Sequence, residues 1–235
     1  MNNSHSNIKT TRAGKAKTLL HIDASAREDR SLTRDMGRRF MAAWRADNPN
    51  DVILHRDVGL HPPPYVSQDW VAAAFTPQEK RTPDEIELLA TSDTLIGELA
   101  CADILVIATP MYNYGMPAAL KAWVDQVIRV DKTFTFDLAR GDHPLEAVLS
   151  GKAMVLLTSS GEYGFAPGGE RAGMNHLDPH LRTLGRYFGV AEDYHIAIEY
   201  QEFGDARHTA SVTAAHAAIP GLVANLSRKP GLAAA

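Results

Sequence analysis

What this chain lacks narrows its function before any motif is read. It has one cysteine, Cys101, in 235 residues, so no internal disulfide can form and the expected compartment is a reducing, cytoplasmic one. It has no excess of positive charge: 24 Lys plus Arg against 28 Asp plus Glu leave a formal net charge of −4. That balance argues against a nucleic-acid groove and against a polybasic membrane face. No apolar run approaches the roughly 18 residues that a membrane-spanning helix requires. Residues 1 to 15 (MNNSHSNIKTTRAGK) lack the apolar centre of a secretory signal and are expected to form a flexible extension. No G-x-S-x-G elbow occurs, and neither a G-x-x-x-x-G-K-[ST] loop nor a G-x-G-x-x-G turn follows a strand. Hydrolase, nucleoside-triphosphate and dinucleotide-fold readings lose their usual signatures. With 45% apolar and 22% charged residues, the remainder reads as one folded domain over residues 16 to 235.

What is present is an alternation of short apolar strands with helices. Lys17–Ala24, Val52–Val58, Asp103–Thr109, Lys152–Ser159 and Val190–Ile198 read as strands, apolar enough to be covered on both faces. Between them lie helical stripes: Leu32, Met36, Phe40, Ala43 and Trp44; Ile86, Leu89, Ala90, Ile96 and Leu99; Leu120, Trp123, Val124, Val127 and Ile128. A further helix is expected from Asp178-Pro179 to Phe188, and a terminal one over Asp205–Arg228 that Pro220-Gly221 should kink or end early. Cys101, at the end of its helix, is expected in the core. Such alternation implies a doubly wound parallel sheet of five strands in the order 2-1-3-4-5, with ligands beyond the carboxyl ends of the strands. The stretch from Gly59 to Thr82 breaks the pattern. It holds four prolines and the aromatics Tyr65, Trp70 and Phe75, and is expected to be an irregular insertion with exposed rings.

The loops after strands one, three and four lie at that end, and the first two carry candidate chemistry. After the first strand, Ser25, Ser31 and Thr33 lead into a helix N-terminus, where free N–H groups and the helix dipole favour an anion. Plain helix capping by Ser31 is the alternative reading. After the third strand, Pro110-Met111-Tyr112-Asn113-Tyr114-Gly115-Met116-Pro117 offers a proline-bracketed turn able to frame a planar heteroaromatic ring. The alternative there is a helix cap whose aromatics pack on the sheet edge. His176 and His180 flank a helix start at Asp178-Pro179 and are expected to be surface or loop histidines, so no metal ligand set is assigned.

With those residues in hand, the chain from Lys17 to about Ile198 resembles the FMN-dependent NADH-azoreductases, within the flavodoxin-like NAD(P)H:quinone reductases. The resemblance rests on Ser25 with Ser31 and Thr33, on Pro110-Met111-Tyr112-Asn113 followed by Pro117, on Leu120-Lys121, and on Lys132-Thr133-Phe134. It implies a flavodoxin-like fold, with the FMN phosphate on Ser25, Ser31 and Thr33 and the ring beside Pro110, Met111, Tyr112, Asn113 and Tyr114. A further flavin-contacting turn falls at Ser159, Ser160, Gly161 and Glu162. There the chain departs from the two adjacent glycines common in the family, and a longer loop runs to Asn175. Tyr163 either covers the flavin or decorates that loop.

The implied activity is hydride transfer from NADH or NADPH through noncovalent FMN to a quinone or azo compound by a ping-pong mechanism, without a catalytic triad. The resemblance also implies a homodimer; the proline-stiffened segment with Tyr65, Trp70 and Phe75 carries more aromatic surface than a solvated loop should show, and these rings are expected as substrate-side anchors acting across the interface or on their own flavin. Two other readings remain at this stage: an electron-transfer flavodoxin, and a flavin reductase dedicated to one metabolic substrate.

Overall fold

A computed structural model describes residues 16–229; the extension expected at residues 1 to 15 lies outside the described residues. In chain order the elements are β1 (Thr18–Asp23), α1 (Leu32–Asp47), β2 (Val52–Asp57), α2 (Gln68–Phe75), α3 (Pro83–Cys101), β3 (Ile104–Pro110), α4 (Ala118–Val127), β4 (Phe134–Phe136), β5 (Leu145–Ala147), β6 (Lys152–Ser159), α5 (Asp178–Phe188), β7 (Val190–Ile198) and α6 (Ala206–Arg228). The main sheet is parallel throughout, ordered β2-β1-β3-β6-β7. Counted within that sheet, this is the expected 2-1-3-4-5 order. The antiparallel pair β4 and β5 is a separate hairpin that the sequence pattern does not announce.

Successive strand residues point to opposite faces, so each central strand feeds two cores. Leu20, Ile22, Leu105, Ile107, Met154 and Leu156 meet Leu99, Trp123, Val127, Leu181 and Phe188 of α3, α4 and α5. Leu19, Val106, Val155 and Leu157 meet Met36, Phe40 and Trp44 of α1 and Ile219 and Val223 of α6. Both faces covered is the condition for a continuous apolar run, which β3 and β6 satisfy along their length. The last strand, β7, alternates buried and open residues because it lies at the sheet edge.

Four local expectations are corrected. Helix α6 runs through Pro220 to Arg228: Ile219, Val223 and Leu226 remain in the core, and that burial outweighs the lost backbone bond. In α3, Ile86 is exposed near the N-terminus, and the buried stripe comprises Leu89, Ser92, Leu95, Ile96 and Leu99. Cys101 is exposed, because two residues past Leu99 the helix has turned to its outer side. The stretch from 59 to 82 contains α2, capped by the Ser67 hydroxyl. Within it Trp70 is 7% exposed; its indole N–H donates to Gln126 Oε1 at 3.1 Å, and Gln126 Nε2 donates to the Pro64 carbonyl at 2.9 Å. The expectation of three exposed rings therefore reduces to two, Tyr65 at 73% and Phe75 at 70%.

Candidate functional site

The loop leaving β1 is set by a buried arginine. Arg34, in the first turn of α1, donates through Nε to the Arg27 carbonyl at 2.8 Å and through Nη2 to the Ser25 carbonyl at 2.7 Å. The same guanidinium holds Asp57, at the end of β2, with contacts of 2.6 and 2.8 Å. Burial pushes the Asp57 carboxyl up, but the Arg34 and Leu60 hydrogen bonds outweigh it and hold the group below the usual carboxylate range. Ser31 caps α1, its Oγ accepting from the Arg34 N–H at 3.3 Å and lying 3.3 Å from Thr33 Oγ1.

Beneath the loop runs the chain leaving β2, so close that a Cβ on Gly59 would lie 2.1 Å from the Ser25 carbonyl oxygen. Gly59→Ala is expected to cost about 1–3 kcal/mol through this overpacking. Urea unfolding measures the cost, and a wild-type midpoint would show that the loop moves freely.

The loop after β3 makes a tight turn. Tyr112 and Gly115 exchange both backbone hydrogen bonds, at 2.9 and 3.0 Å, and the two residues between them have positive φ, 47° at Asn113 and 66° at Tyr114. Asparagine tolerates that conformation; tyrosine in it is strained. The strain is held from both sides. Met111 N–H donates to the Ser159 carbonyl and His176 N–H to the Tyr114 carbonyl, while the Tyr114 hydroxyl donates to Glu162 Oε2 at 3.0 Å. Glu162 also faces Arg171, at 3.3 Å.

The third loop, after β6, is braced by residues that motif reading missed. Tyr200, Gln201 and Glu202 donate their backbone N–H groups to the carbonyls of Glu162, Ser160 and Gly161. Tyr163 stacks on Tyr200 with centroids 4.6 Å apart and an 11° interplanar angle, Phe203 meets both edge-on, and Arg171 and Arg207 close the outer faces. These contacts tie Tyr163 to the 200–203 segment.

These loops converge on a cleft lined by Ser25, Arg27, Arg30, Ser31, Leu32, Pro110, Met111, Tyr112, Ser159, Gly161, Gln201 and Glu202. The end at the α1 N-terminus is rich in donors: two hydroxyls and two arginine side chains beside a helix dipole suit a phosphate. The opposite end offers Pro110, Met111 and Tyr112 with backbone groups, which suits a planar ring. A flavin mononucleotide therefore fits the chemistry of the walls. Of the sequence-predicted residues, Ser25, Ser31, Pro110, Met111, Tyr112, Ser159 and Gly161 meet here. Thr33 does not: it is fully buried behind Ser31. Asn113, Tyr114 and Glu162 do not line it; they are held in the turn and hydrogen bond described above. Ser160 lines an adjoining cavity with Thr158, Asp178, His195 and Glu199; there Thr158 Oγ1 lies 2.7 Å from His195 Nε2, and burial lowers the His195 pKa. Tyr65, Trp70 and Phe75 line neither space.

Arg27 and Arg30 were legible as charges within the first loop, but only the fold turns that loop toward the cleft. Residues 200–203 carried no motif at all.

A profile of the family described as the flavodoxin-like fold matches residues 17–220. A protein of Idiomarina loihiensis named FMN-dependent NADH:quinone oxidoreductase 2 is 52% identical over 217 residues, covering 89% of this chain and 90% of its own length. The chain belongs to this flavodoxin-like family. A second relative of the same name, from Colwellia psychrerythraea, is 53% identical over 216 residues, covering 89% of this chain and 99% of its own. Among solved structures, an FMN-dependent NADH-azoreductase from Bacillus anthracis in complex with FMN superposes with a TM-score of 0.79. It is 15% identical, with 90% of this chain and 100% of that one covered, a likeness that bears on the fold alone. Within the family, the cleft described here lies at the carboxyl ends of β1, β3 and β6, where a doubly wound sheet places its ligand.

Proposed function

We propose that this chain is an FMN-dependent NAD(P)H:quinone oxidoreductase that also accepts azo compounds. The observation that carries this reading is the cleft itself, which joins a donor-rich helix N-terminus to an apolar, backbone-lined turn within one space. The names of relatives at 52% and 53% identity support it. When bound, FMN supplies a ring that takes hydride from a nicotinamide and passes two electrons to an acceptor. The chain's own residues do the rest. Ser25, Ser31, Arg27 and Arg30 hold the phosphate; Arg34 fixes the two carbonyls that shape their loop. Met111 and Tyr112 wall the ring, and the Tyr112–Gly115 turn with the 159–162 loop sets its edge. No side chain is asked to move a proton, and water is sufficient for the product.

The test is anaerobic. Addition of NADH or NADPH to the yellow holoprotein is expected to bleach the flavin before any acceptor is present, and initial rates are expected to give parallel double-reciprocal lines. Bleaching absent with both nicotinamides overturns the reading in favour of an electron-transfer flavodoxin; converging lines overturn the ping-pong order.

We further propose a cytoplasmic homodimer. Among the described residues no helix is long and apolar enough to cross a membrane, and Tyr65 and Phe75 expose aromatic surface on a proline-stiffened segment that Gln126 and Trp70 anchor to the domain. Sedimentation at micromolar concentration is expected to give twice the 25.6 kDa chain mass, and Tyr65→Ser, Phe75→Ser to shift it toward monomer. A monomeric wild type overturns the dimer.

A further inference from the structure

The sheet edge beneath the cleft carries side chains that the proposed reaction leaves unused. His21 and Asp23 leave β1 on one face, two residues apart, and the parallel register sets His55 of β2 beside His21 and Asp57 beside Asp23. His21 and Asp23 are each 5% exposed, whereas His55, on the edge strand, has a side chain 52% exposed. One ligand atom from each of the three lies within 4.8 Å of the other two. His55 Nε2 stands 2.9 Å from Asp23 Oδ2, and His21 Nε2 stands 3.6 Å from Asp23 Oδ1. The buried atoms His21 Nε2 and Asp23 Oδ1 have no hydrogen-bond partner, although burial of such atoms without one is costly. Where α1 covers that ring nitrogen it presents Gly37, and a Cβ there would lie 2.5 Å from His21 Nε2.

We propose that His21, Asp23 and His55 bind one divalent cation of borderline softness, of which zinc(II) is the representative. Two imidazoles and one carboxylate make the donor set, and tetrahedral ligands at zinc distances stand roughly 3.3–3.6 Å apart. The imidazole nitrogens stand 2.9 and 3.6 Å from the two oxygens of the Asp23 carboxylate, so the distances span that spacing. Charge agrees. The nearest fixed cation, Arg34, is 3.7 Å from Asp23 Oδ2 but is matched by its closer pair with Asp57, so Asp23 is left with its negative charge for the ion. Magnesium and calcium, which take oxygen ligands, are excluded by the two imidazoles. The exposed side of His55 leaves the fourth position to water. Bound there, the ion ties the edge strand β2 to β1 immediately below the loop that carries Ser25. The proposal does not rest on the flavin reading, since none of the three side chains lines the cleft.

The experiment uses the full chain as purified, washed with chelator and titrated with zinc chloride by calorimetry, with magnesium chloride as control. Crystals soaked in the same salt are measured at the zinc absorption edge. One site is expected, with an anomalous peak between the three side chains and a melting temperature raised by zinc and not by magnesium. His55→Ala, at a largely exposed position, is expected to fold and to lose roughly a hundredfold or more in zinc affinity, since even outer-shell partners of a metal are worth about 10–100-fold. Circular dichroism checks the fold of that variant. An anomalous map with no peak at this site, or a folded His55→Ala protein with unchanged zinc affinity, overturns the proposal.

Discussion

Arg34→Leu is expected to cost about 3–5 kcal/mol of stability, or roughly 6–20 °C in melting temperature for a domain of this size. The guanidinium is almost wholly buried and has three duties: it neutralises Asp57, faces Asp23 at 3.7 Å, and holds the carbonyls of Ser25 and Arg27. Leucine fills much of the volume but leaves Asp57 without its counterion and two loop carbonyls without a donor. The pH dependence has a definite sign. Asp57 is held below its ordinary value of 3.8 in the folded state, so the pair's contribution is fully present above that value and is lost as pH falls through the lower, folded one. The gap between wild type and variant is therefore expected to be widest near neutrality and to shrink as the pH falls below 3.8. Differential scanning calorimetry in both pH ranges measures it. Equal melting temperatures at neutral pH would show that the arginine is no keystone.

The second large effect is on cofactor affinity. Loss of one hydrogen bond to a charged group costs about 1.5–3 kcal/mol, so Ser25→Ala with Ser31→Ala is expected to weaken FMN binding by roughly a hundredfold to ten-thousandfold. Both serines line the donor-rich end of the cleft. Ser31 also caps α1, and its loss there costs about 1 kcal/mol of stability, which a melting curve reads separately. Titration of the apoprotein by quenching of FMN fluorescence decides the matter, and an unchanged dissociation constant would remove the phosphate from this loop. Arg27 and Arg30 supply an internal comparison, since their neutralisation is expected to weaken binding in a salt-dependent manner while the serine effect stays nearly constant with salt.

The local geometry that sequence and structure share is that in which adjacent residues act together. Ser31 at the start of α1 and the Pro110–Pro117 turn are local motifs, and local motifs survive folding because capping and turn geometry depend on near neighbours. The misreadings share the opposite property. Trp70 lies in a proline-stiffened stretch that breaks the strand–helix pattern, which suggests an exposed ring, yet its indole meets Gln126, 56 residues away. Thr33 carries the right hydroxyl but points behind Ser31. The residues 200–203 that brace the 160–162 loop lie some forty positions from it in sequence.

The sequence by itself therefore determined the alternation of apolar strands and helices, the parallel doubly wound sheet, and the loops that leave the carboxyl ends of its strands, because periodicity and turn chemistry act over a few residues. Tertiary structure alone decided which side chains share a space. It carried α6 through Pro220, because burial of Ile219, Val223 and Leu226 outweighs one lost backbone bond. It placed Arg34 under the Ser25 loop and set His21, Asp23 and His55 side by side. Those groupings follow from strand register and from helices packing across a sheet, and both are contacts between residues that no short window of sequence contains.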